Sequence, residues 1–163
     1  VRGHRYHLRP IRPADVDLYP EFLSRTTAAD LRLRFHGSVN AFSDRLLIRL
    51  TQLDYDREMA FVALDEEGKL GGVARLASDP DHETAEYAIL VRSDLQGQGL
   101  GWALLNRLIE YAKADGLRRI EGQVLSVNTT MLHMCRQLGF QLTDDPDDDG
   151  TIRAALELDP ARG

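Results

Sequence analysis

The sequence predicts a mixed α/β fold of the α+β type, with a central, mixed and mostly antiparallel sheet flanked by helices. Short apolar runs bounded by turn residues predict the strands, and apolar residues spaced three and four positions apart predict the helices. The segments follow one another in the order strand, helices, three strands, helix, strand, helix, two strands. Because the chain has 163 residues and the composition of an average globular protein, we expect one domain over residues 1–163.

The N-terminal third is predicted to contain one strand followed by helices. The strand covers residues 6–11 and ends at an Arg-Pro pair, and proline suits the start of the helix predicted over 14–24. Thr27 and Ser43 are suitable N-cap residues for two further helices. Gly37 is placed to end the first of these two.

Three strands are predicted in the middle of the chain. Residues 59–64 and 70–77 are apolar runs joined by the turn 65–68, which predicts a hairpin. The third strand, 84–91, is apolar at most positions. We predict a central strand covered on both faces, because such a strand reads as a nearly continuous apolar run.

The last part of the chain is predicted to form a helix, a strand, a short helix and a strand pair. Their residues are 100–115, 120–127, 128–139, and 140–142 with 152–158. The acidic segment 144–150 between the paired strands has aspartates spaced as in the start of an EF-hand loop, but Leu156 stands where that loop needs glutamate. We predict a solvated hairpin loop there and no metal site.

Composition and charge exclude several classes of function. The formal net charge is −6, with 20 Lys and Arg against 26 Asp and Glu, so the chain has no basic surface for general nucleic-acid binding. Cys135 is the single cysteine, which excludes an internal disulfide and a multi-cysteine zinc site. No apolar run has the roughly 18 residues of a membrane span.

The chain begins at Val1 and shows no charged and then apolar leader, so we expect a cytoplasmic location. The missing initiator methionine predicts a module processed or excised from a longer chain. The oligomeric state stays open.

A glycine-rich turn before the helix 100–115 is the first functional candidate. Gly97, Gly99 and Gly101 alternate where the helix begins. A helix N-terminus offers unbonded N–H groups to a phosphate, and glycines let the backbone approach it. Trp102 interrupts the spacing of a dinucleotide fingerprint, and the lysine of a P-loop is missing. A cradle for another phosphate ligand and a merely tight turn both stay open.

The turn also resembles a known signature. Gln96-x-x-Gly99-x-Gly101 is similar to the Q/R-x-x-G-x-G/A acyl-CoA-binding motif of the GNAT N-acetyltransferases. A downstream segment resembles the family landmark N-x-x-A-x-x-x-Y-x-x-x-G-F. Its matching residues are Asn128, Met131, Cys135, Gly139 and Phe140. The predicted element order also agrees, so the resemblance covers residues 6–158 and implies a GNAT fold.

A narrower resemblance concerns one branch of this family. Residues 8–15, 34–35 and 85–88 are similar to the GNAT domain of bacterial protein lysine acetyltransferases, which modify acyl-CoA synthetases and often carry further domains. The resemblance implies an acyl-CoA-dependent N-acetyltransferase that uses acetyl-CoA, needs no metal and accepts a protein lysine.

The GNAT resemblance also implies a set of cofactor contacts. In this family the central strand and the strand after the helix splay apart, and the pantetheine arm of CoA lies between them like an added strand. The Leu90 N–H is implied to stabilise the oxyanion. The implied CoA-binding residues are Leu90, Val91, Arg92, Gln96, Gly97, Gln98, Gly99, Leu100, Gly101 and Asn128.

Glu86 is the candidate general base. A lysine must lose a proton before it attacks, because its unperturbed pKa is about 10.4. Glu86 is the one charged residue in an apolar strand, on the same face as Leu90, and it matches the catalytic glutamate of the lysine acetyltransferases. We expect desolvation to raise its pKa. The alternative is a strand carboxylate paired with an arginine.

Cys135 departs from the family pattern. Many GNAT enzymes have a tyrosine there, as the acid for the leaving thiolate. A small buried apolar side chain is the expected role of this cysteine. Solvent also protonates a CoA thiolate, so the step needs no acid from the protein.

We therefore predict an N-acetyltransferase that moves acetyl from acetyl-CoA to a primary amine by direct attack, with Glu86 as general base. The predicted partner is a protein that presents a lysine, such as an acyl-CoA synthetase, and neither a nucleic acid nor a membrane. Two alternatives stay open: a small amine or amino-acid acceptor, and a non-catalytic acyl-CoA-sensing module. Glu86 beside a complete glycine turn argues against the second.

Overall fold

The computed structural model describes residues 5–27, 29–30, 50–51, 57–96, 99–145 and 148–158. The strands in these ranges are β1 His7–Pro10, β2 Glu58–Leu64, β3 Leu70–Ser78, β4 Thr84–Val91, β5 Arg119–Leu125, β6 Gln141–Asp145 and β7 Asp148–Glu157. The α-helices there include α1 Tyr19–Ser24, α2 Leu100–Ala114 and α3 Thr129–Gln137. Short 3₁₀ helices cover Pro13–Leu18 and Ser93–Leu95.

The strands form one mixed sheet in the order β1-β2-β3-β4-β5-β7-β6. All neighbouring pairs are antiparallel except β4 and β5, which are parallel. Parallel neighbours need a crossover connection, which α2 provides. β4 is thus the central strand, and the predicted mostly antiparallel sheet is confirmed.

Helices cover both faces of the sheet. α2 and α3 pack on one face, where Leu104 and Leu108 are fully buried. α1 packs on the other face, in a smaller cluster that contains Phe22. Because successive strand residues point to opposite faces, Ile89 joins the first cluster and Leu90 the second. The C-terminal end of β4 is therefore covered on both faces, as predicted.

Local sequence signals place the ends of the helices where they were expected. Pro13 opens the first helical segment, a 3₁₀ helix that continues into α1. Gly116 follows α2 at a φ of +84°, and Gly139 follows α3 at +92°, a region that glycine adopts without strain. The Asn128 side chain accepts a hydrogen bond from the Met131 N–H and so caps α3.

The helices predicted after Thr27 lie mostly outside the described residues. The Thr27 hydroxyl accepts a hydrogen bond from the Asp30 N–H at 3.1 Å, and residues 29–30 are helical, which agrees with a cap at Thr27. The predicted helix end at Gly37 and the predicted cap at Ser43 fall in parts of the chain that are not described.

The acidic segment 144–150 is not the loop that the sequence predicts. Asp144 and Asp145 belong to β6, and Asp145 lies opposite Asp148 of β7. Asp145 is 4% exposed and accepts a hydrogen bond from the Gln123 side chain at 3.2 Å. Strand pairing and this buried hydrogen bond outweigh the low strand propensity of aspartate. The prediction of a solvated loop is therefore wrong for the described part of this segment.

Neither a helix fit to span a membrane nor a cluster of metal-binding side chains occurs among the described residues. Each helix in that part of the chain is too short or too polar to cross a bilayer. The same residues contain no group of three His, Cys, Asp or Glu side chains placed to hold a metal ion.

Candidate functional site

β4 and β5 are paired only at their first residues. The parallel ladder joins residues 84–86 to residues 119–121. Beyond it, β4 continues to Val91 and β5 to Leu125 without pairing to each other. The two strands therefore splay apart and leave two free strand edges, as the GNAT resemblance implies.

Tyr87 and Gly122 follow the last pair of the ladder and lie against each other. A Cβ atom on Gly122 would lie 2.5 Å from the Tyr87 ring, so the ring occupies the space above this glycine. The ring packs edge to face against Phe140 at 5.6 Å, and its hydroxyl lies 3.1 Å from the sulfur of Cys135. Burial raises the pKa of the Tyr87 phenol and that of the Cys135 thiol. Tyr87 is thus a neutral wedge that packs over Gly122 where the two strands part.

The pairing of β4 with β3 decides which backbone groups face the gap. Backbone groups of an antiparallel strand point alternately to its two neighbours. The Arg92 N–H donates to the Gly71 carbonyl of β3 at 2.8 Å, and Leu90, two residues earlier in the same register, faces β3 as well. Ile89 and Val91 therefore direct their N–H and C=O groups into the gap. This corrects the sequence expectation for Leu90, whose N–H points away from a bound cofactor.

Arg92 is also not available to a cofactor. Its N–H is bonded to β3, and its C=O accepts from the Leu95 N–H at 2.9 Å. Its buried guanidinium bonds Asp94 at 2.6 Å and Asp65 at 3.1 Å. Burial lowers the pKa of Arg92, but the bonds to both carboxylates outweigh this effect and raise it. The expected cofactor contact is therefore corrected: Arg92 ties the end of β4 to the β2–β3 turn.

The turn into α2 leaves the first N–H groups of the helix uncapped. Gly99 is the N-cap residue, with a φ of +88°, and it has no side chain to accept from those groups. The Leu100 side chain is buried in the core, so only its backbone lies at the turn. A Cβ atom on Gly101 would lie 3.6 Å from Val91. The predicted members outside the described residues are Gly97 and Gln98.

The splayed strands and the start of α2 border a cleft of about 880 Å³. The start of α3 closes its far side. The sequence-predicted residues that line it are Glu86, Leu90, Val91, Gln96, Gly99, Gly101 and Asn128. The Gln96 side chain donates to the Val91 carbonyl at 3.3 Å, which confirms that this carbonyl faces the cleft. The Asn128 side-chain oxygen caps α3, and its nitrogen bonds none of the described residues.

Two large apolar side chains at the cleft are exposed to solvent. Trp102, in the first turn of α2, is 43% exposed, and Val127, just after β5, is 75% exposed. Exposed apolar residues beside a cleft are typical of ligand-binding sites. The exposure of Trp102 disagrees with a role in core packing. No sequence pattern distinguishes Val127.

Glu86 lies where the ladder ends, between the cleft and a second, smaller cavity that it also lines. Its side chain is exposed and makes no hydrogen bond or ion pair with the described residues. The alternative of a strand carboxylate paired with an arginine is therefore not seen among the arginines that the structure describes. The exposure also means that the expected desolvation is not present in the free protein.

The residues present fit an acyl-CoA. The backbone groups of Ile89 and the Val91 N–H face the gap and suit the amides of a pantetheine arm, whereas the Val91 carbonyl already accepts from Gln96. The uncapped N-terminus of α2 suits a diphosphate. A side chain at Gly99 would both strain the backbone and stand at this N-terminus. The cleft thus suits an acyl-CoA, with Ile89 in the place expected of Leu90 and without a contact from Arg92.

Comparison with known proteins assigns the family. The profile of the acetyltransferase (GNAT) family matches residues 25–140. The chain belongs to the GNAT family. It is therefore an acyl-CoA-dependent N-acetyltransferase with a GNAT fold, and the predicted family, fold and enzyme class are confirmed.

Two relatives match almost the whole GNAT chain. Acetyltransferase PA5475 of Pseudomonas aeruginosa is 34% identical over 159 residues, which cover 96% of this chain and 86% of the relative. Acetyltransferase Pat of Mycolicibacterium smegmatis is 34% identical over 162 residues, which cover 97% of this chain and 47% of Pat. The chain thus spans about half the length of Pat.

Solved structures show the same fold. The GNAT domain of S. lividans PAT has a TM-score of 0.86 at 24% identity, covering 94% of this chain and 90% of that one. A spermidine N-acetyltransferase from Vibrio cholerae, solved in complex with CoA and spermine, has a TM-score of 0.73 at 21% identity, covering 93% and 95%. At these identities the likeness concerns the GNAT fold alone.

Proposed function

We propose that this GNAT enzyme transfers acetyl from acetyl-CoA to the ε-amine of a protein lysine, with Glu86 as the general base. The observation that carries the proposal is the position of Glu86. It is a carboxylate without a partner among the described residues, at the point where β4 and β5 separate. An amine that enters the cleft at this point has a proton acceptor beside it.

The base is needed because of the charge of the acceptor. A lysine amine has an unperturbed pKa of about 10.4, so nearly all of it is protonated near neutral pH. An ammonium group has no lone pair with which to attack a thioester. Glu86 takes the proton, directly or through one water molecule.

The splayed strands and the start of α2 hold acetyl-CoA in this proposal. The bound thioester supplies an activated acyl carbonyl. The Ile89 N–H takes the oxyanion-stabilising role first expected of Leu90, and one such donor is typically worth about 3 kcal/mol. Val91 and Asn128 contact the pantetheine arm. The backbone N–H groups of residues 99–101 bind the diphosphate.

The leaving thiolate takes its proton from solvent in this proposal. Cys135 stands at the position of the family's tyrosine, but it is fully buried. Burial raises the pKa of its thiol, and the Tyr87 hydroxyl lies against the sulfur. A buried thiol in these surroundings packs the wedge and is not placed to act on a ligand.

The relatives favour a protein lysine and keep a small acceptor as the alternative. The identity to Pat extends over 97% of this chain, and residues 8–15 and 85–88 resemble protein lysine acetyltransferases. L-amino acid N-acyltransferase MnaT of Escherichia coli is 35% identical over 83 residues, which is 48% of this chain. We propose an acyl-CoA synthetase as the first protein target to examine.

Incubation with labelled acetyl-CoA and whole lysate tests the acceptor class. We expect label on lysines of a protein band, and we expect Glu86→Gln to remove it. Glu83→Gln is the matched control, because Glu83 is exposed on the same part of the chain and lines neither cavity. Label confined to small molecules would replace the lysine acceptor by a small amine. Binding of acetyl-CoA without label transfer would contradict the proposed catalysis.

A further inference from the structure

We infer that the acceptor carries a negative group beside its amine, and that Arg153 binds this group while Glu86 takes the proton. The inference rests on the proposed function of Glu86. It comes from the second cavity, of about 640 Å³, which shares Glu86 with the cleft. The charged residues among its described lining are Asp79, Glu86, Arg119, Glu121 and Arg153.

Three of these charged side chains already have partners. The Asp79 carboxylate accepts hydrogen bonds from two backbone N–H groups at 3.0 and 3.3 Å. Arg119 pairs with Glu121 at 3.2 Å and with Glu157 at 3.1 Å. A ligand gains little from such groups, because it must first replace the existing interaction.

Glu86 and Arg153 are the two charges in this cavity that stay without a partner among the described residues. Arg153 is half-buried and lies between Gln123 of β5 and Thr143 of β6, which are both uncharged. Partial removal of a guanidinium from water without a carboxylate is unfavourable. An arginine in this state is suited to a carboxylate ligand, which it binds through two parallel hydrogen bonds.

The sheet places Glu86 and Arg153 on one face at a useful separation. Glu86 lies beside Glu121, and Glu121 lies beside Ala155, two residues from Arg153. Neighbouring residues share a face, and residues two apart along a strand share it too. With about 4.8 Å between strands and about 3.3 Å per residue, the Cα atoms lie about 12 Å apart. Both side chains line the same cavity, and Glu121 and Gln123 lie between them on this face of β5.

An acceptor with a primary amine and a nearby carboxylate matches this pair. The ammonium faces Glu86 and loses its proton there, and the carboxylate faces Arg153. A lysine beside an acidic residue of a protein presents this chemistry, and so does a free amino acid through its own amine and carboxylate. An acceptor with a second cation at that place is rejected by Arg153.

The test compares kcat/KM of matched acceptors for the wild-type enzyme, Arg153→Gln and Arg153→Glu. One arm uses lysine peptides that differ only in a flanking Glu, Gln or Arg, and the other uses leucine and leucine amide. The wild type is expected to prefer the carboxylate-bearing acceptor by about tenfold to a hundredfold, the effect of one charged hydrogen bond. Arg153→Gln should remove this preference, and Arg153→Glu should reverse it. Arg136→Gln, exposed on α3 and outside both cavities, should leave it unchanged.

The outcomes separate this inference from the function on which it rests. Equal rates with all flanks for the wild type, or an unchanged preference in Arg153→Glu, would overturn the inference and leave Glu86 as the base. Acetylation of no amine at all would overturn the proposed function and the inference with it. A preference in the peptide arm alone assigns an acid-flanked lysine, and one in the leucine arm alone assigns an amino acid. Since the readout is a ratio within one enzyme, lower stability of a variant does not imitate it.

Discussion

At the scale of single residues, the site is defined by the few groups whose bonding capacity is not used within the chain. Arg92 and Arg119 are each paired with two carboxylates and act as ties between strands and turns. Glu86 makes no such bond with the described residues, and Ile89 and Val91 direct backbone groups into the cleft. A bound ligand forms hydrogen bonds with polar groups that have no partner within the protein. We therefore assign substrate binding and catalysis to these groups.

Replacing Glu86 by glutamine removes the proposed base while keeping its size. We expect turnover of an amine acceptor to fall by about 10²–10⁴-fold, with acetyl-CoA affinity almost unchanged. Trp102 is the single tryptophan and lines the cleft, so its fluorescence reports cofactor binding directly. Glu83→Gln should behave as the wild type. Normal turnover of Glu86→Gln would remove this residue from the mechanism.

The role of the Glu86 side chain could be predicted from the sequence, but the direction of the backbone groups near it could not. A lone charge in an apolar strand is visible in the sequence. The direction of the Leu90 N–H depends instead on a bond between Arg92 and Gly71, which lie in different strands. No spacing of side chains carries that information. The role of Arg92 as a tie was hidden for the same reason, because its carboxylate Asp65 belongs to a distant turn.

At the scale of elements, the cleft exists because two parallel strands stop pairing after a short ladder. Tyr87 fills the space above Gly122 at the place where they part. Beyond this point the strand edges are free for a ligand, and α2 begins beside them with an uncapped turn. The binding site therefore lies where the pairing of β4 with β5 ends and where α2 begins.

Gly122→Ala tests the wedge. Its Cβ would lie 2.5 Å from a ring that Phe140 and Cys135 hold in place, so we expect the free energy of unfolding to fall by about 1–3 kcal/mol. Denaturant unfolding measures it. The cost should largely vanish when Tyr87 is replaced by leucine. An equal cost in both backgrounds would contradict the steric account.

Gly99→Asp tests the helix start as the diphosphate site. It adds a negative charge at the uncapped N–H groups, so calorimetry should show loss of acetyl-CoA binding. Gly116→Asp is the matched control: Gly116 has a φ of +84°, close to the +88° of Gly99, at the other end of α2. Both variants carry the same backbone strain, and only the first should lose the cofactor. Tight binding to Gly99→Asp would disprove the site.

Element prediction succeeded where the signal is local and failed where pairing decides. Gly116, at a positive φ, follows the end of α2 as expected. Asn128 caps the start of α3 as expected. The acidic segment after Thr143 has the composition of a loop. Pairing with β7 nevertheless keeps Asp144 and Asp145 in strand β6. The partner strand and the Gln123 side chain supply the bonds that aspartate otherwise finds in water.

At the scale of the whole molecule, a buried ion pair joins the N-terminal strand to the first helical segment. Asp15 is 3% exposed and accepts from the Arg9 guanidinium at 2.7 and 2.8 Å and from the Arg12 N–H at 2.7 Å. Burial alone raises the pKa of Asp15, but these hydrogen bonds outweigh it and lower the pKa. Such a carboxylate stabilises the fold above its unfolded pKa of about 4 and loses this contribution as the pH falls through its lower folded value.

Asp15→Asn tests this contribution. We expect the free energy of unfolding to fall by about 3 kcal/mol at neutral pH, because the variant leaves Arg9 without its partner. Below about pH 4 the difference from the wild type should shrink. Unfolding curves over a pH series measure both effects. Asp17→Asn, at an exposed position nearby, should change little, and parallel pH curves of wild type and Asp15→Asn would contradict the assignment.

The whole-molecule arrangement of the acceptor side was beyond sequence reasoning. Glu86 and Arg153 are far apart in the sequence and meet at one cavity only because β5 lies between β4 and β7. The cofactor side was predictable because its motif, from Gln96 to Gly101, is continuous. Contiguous motifs reveal a donor site, whereas an acceptor site assembled across a sheet needs the strand order.

A crystal structure of the enzyme with bound acetyl-CoA is the decisive test of the proposed site. We expect the diphosphate on the backbone N–H groups of residues 99–101 and the pantetheine arm between β4 and β5. We expect the acyl carbonyl beside the Ile89 N–H, with Glu86 within reach of an attacking amine. A diphosphate bound elsewhere, or a Glu86 carboxylate turned away from the acyl carbon, would contradict it.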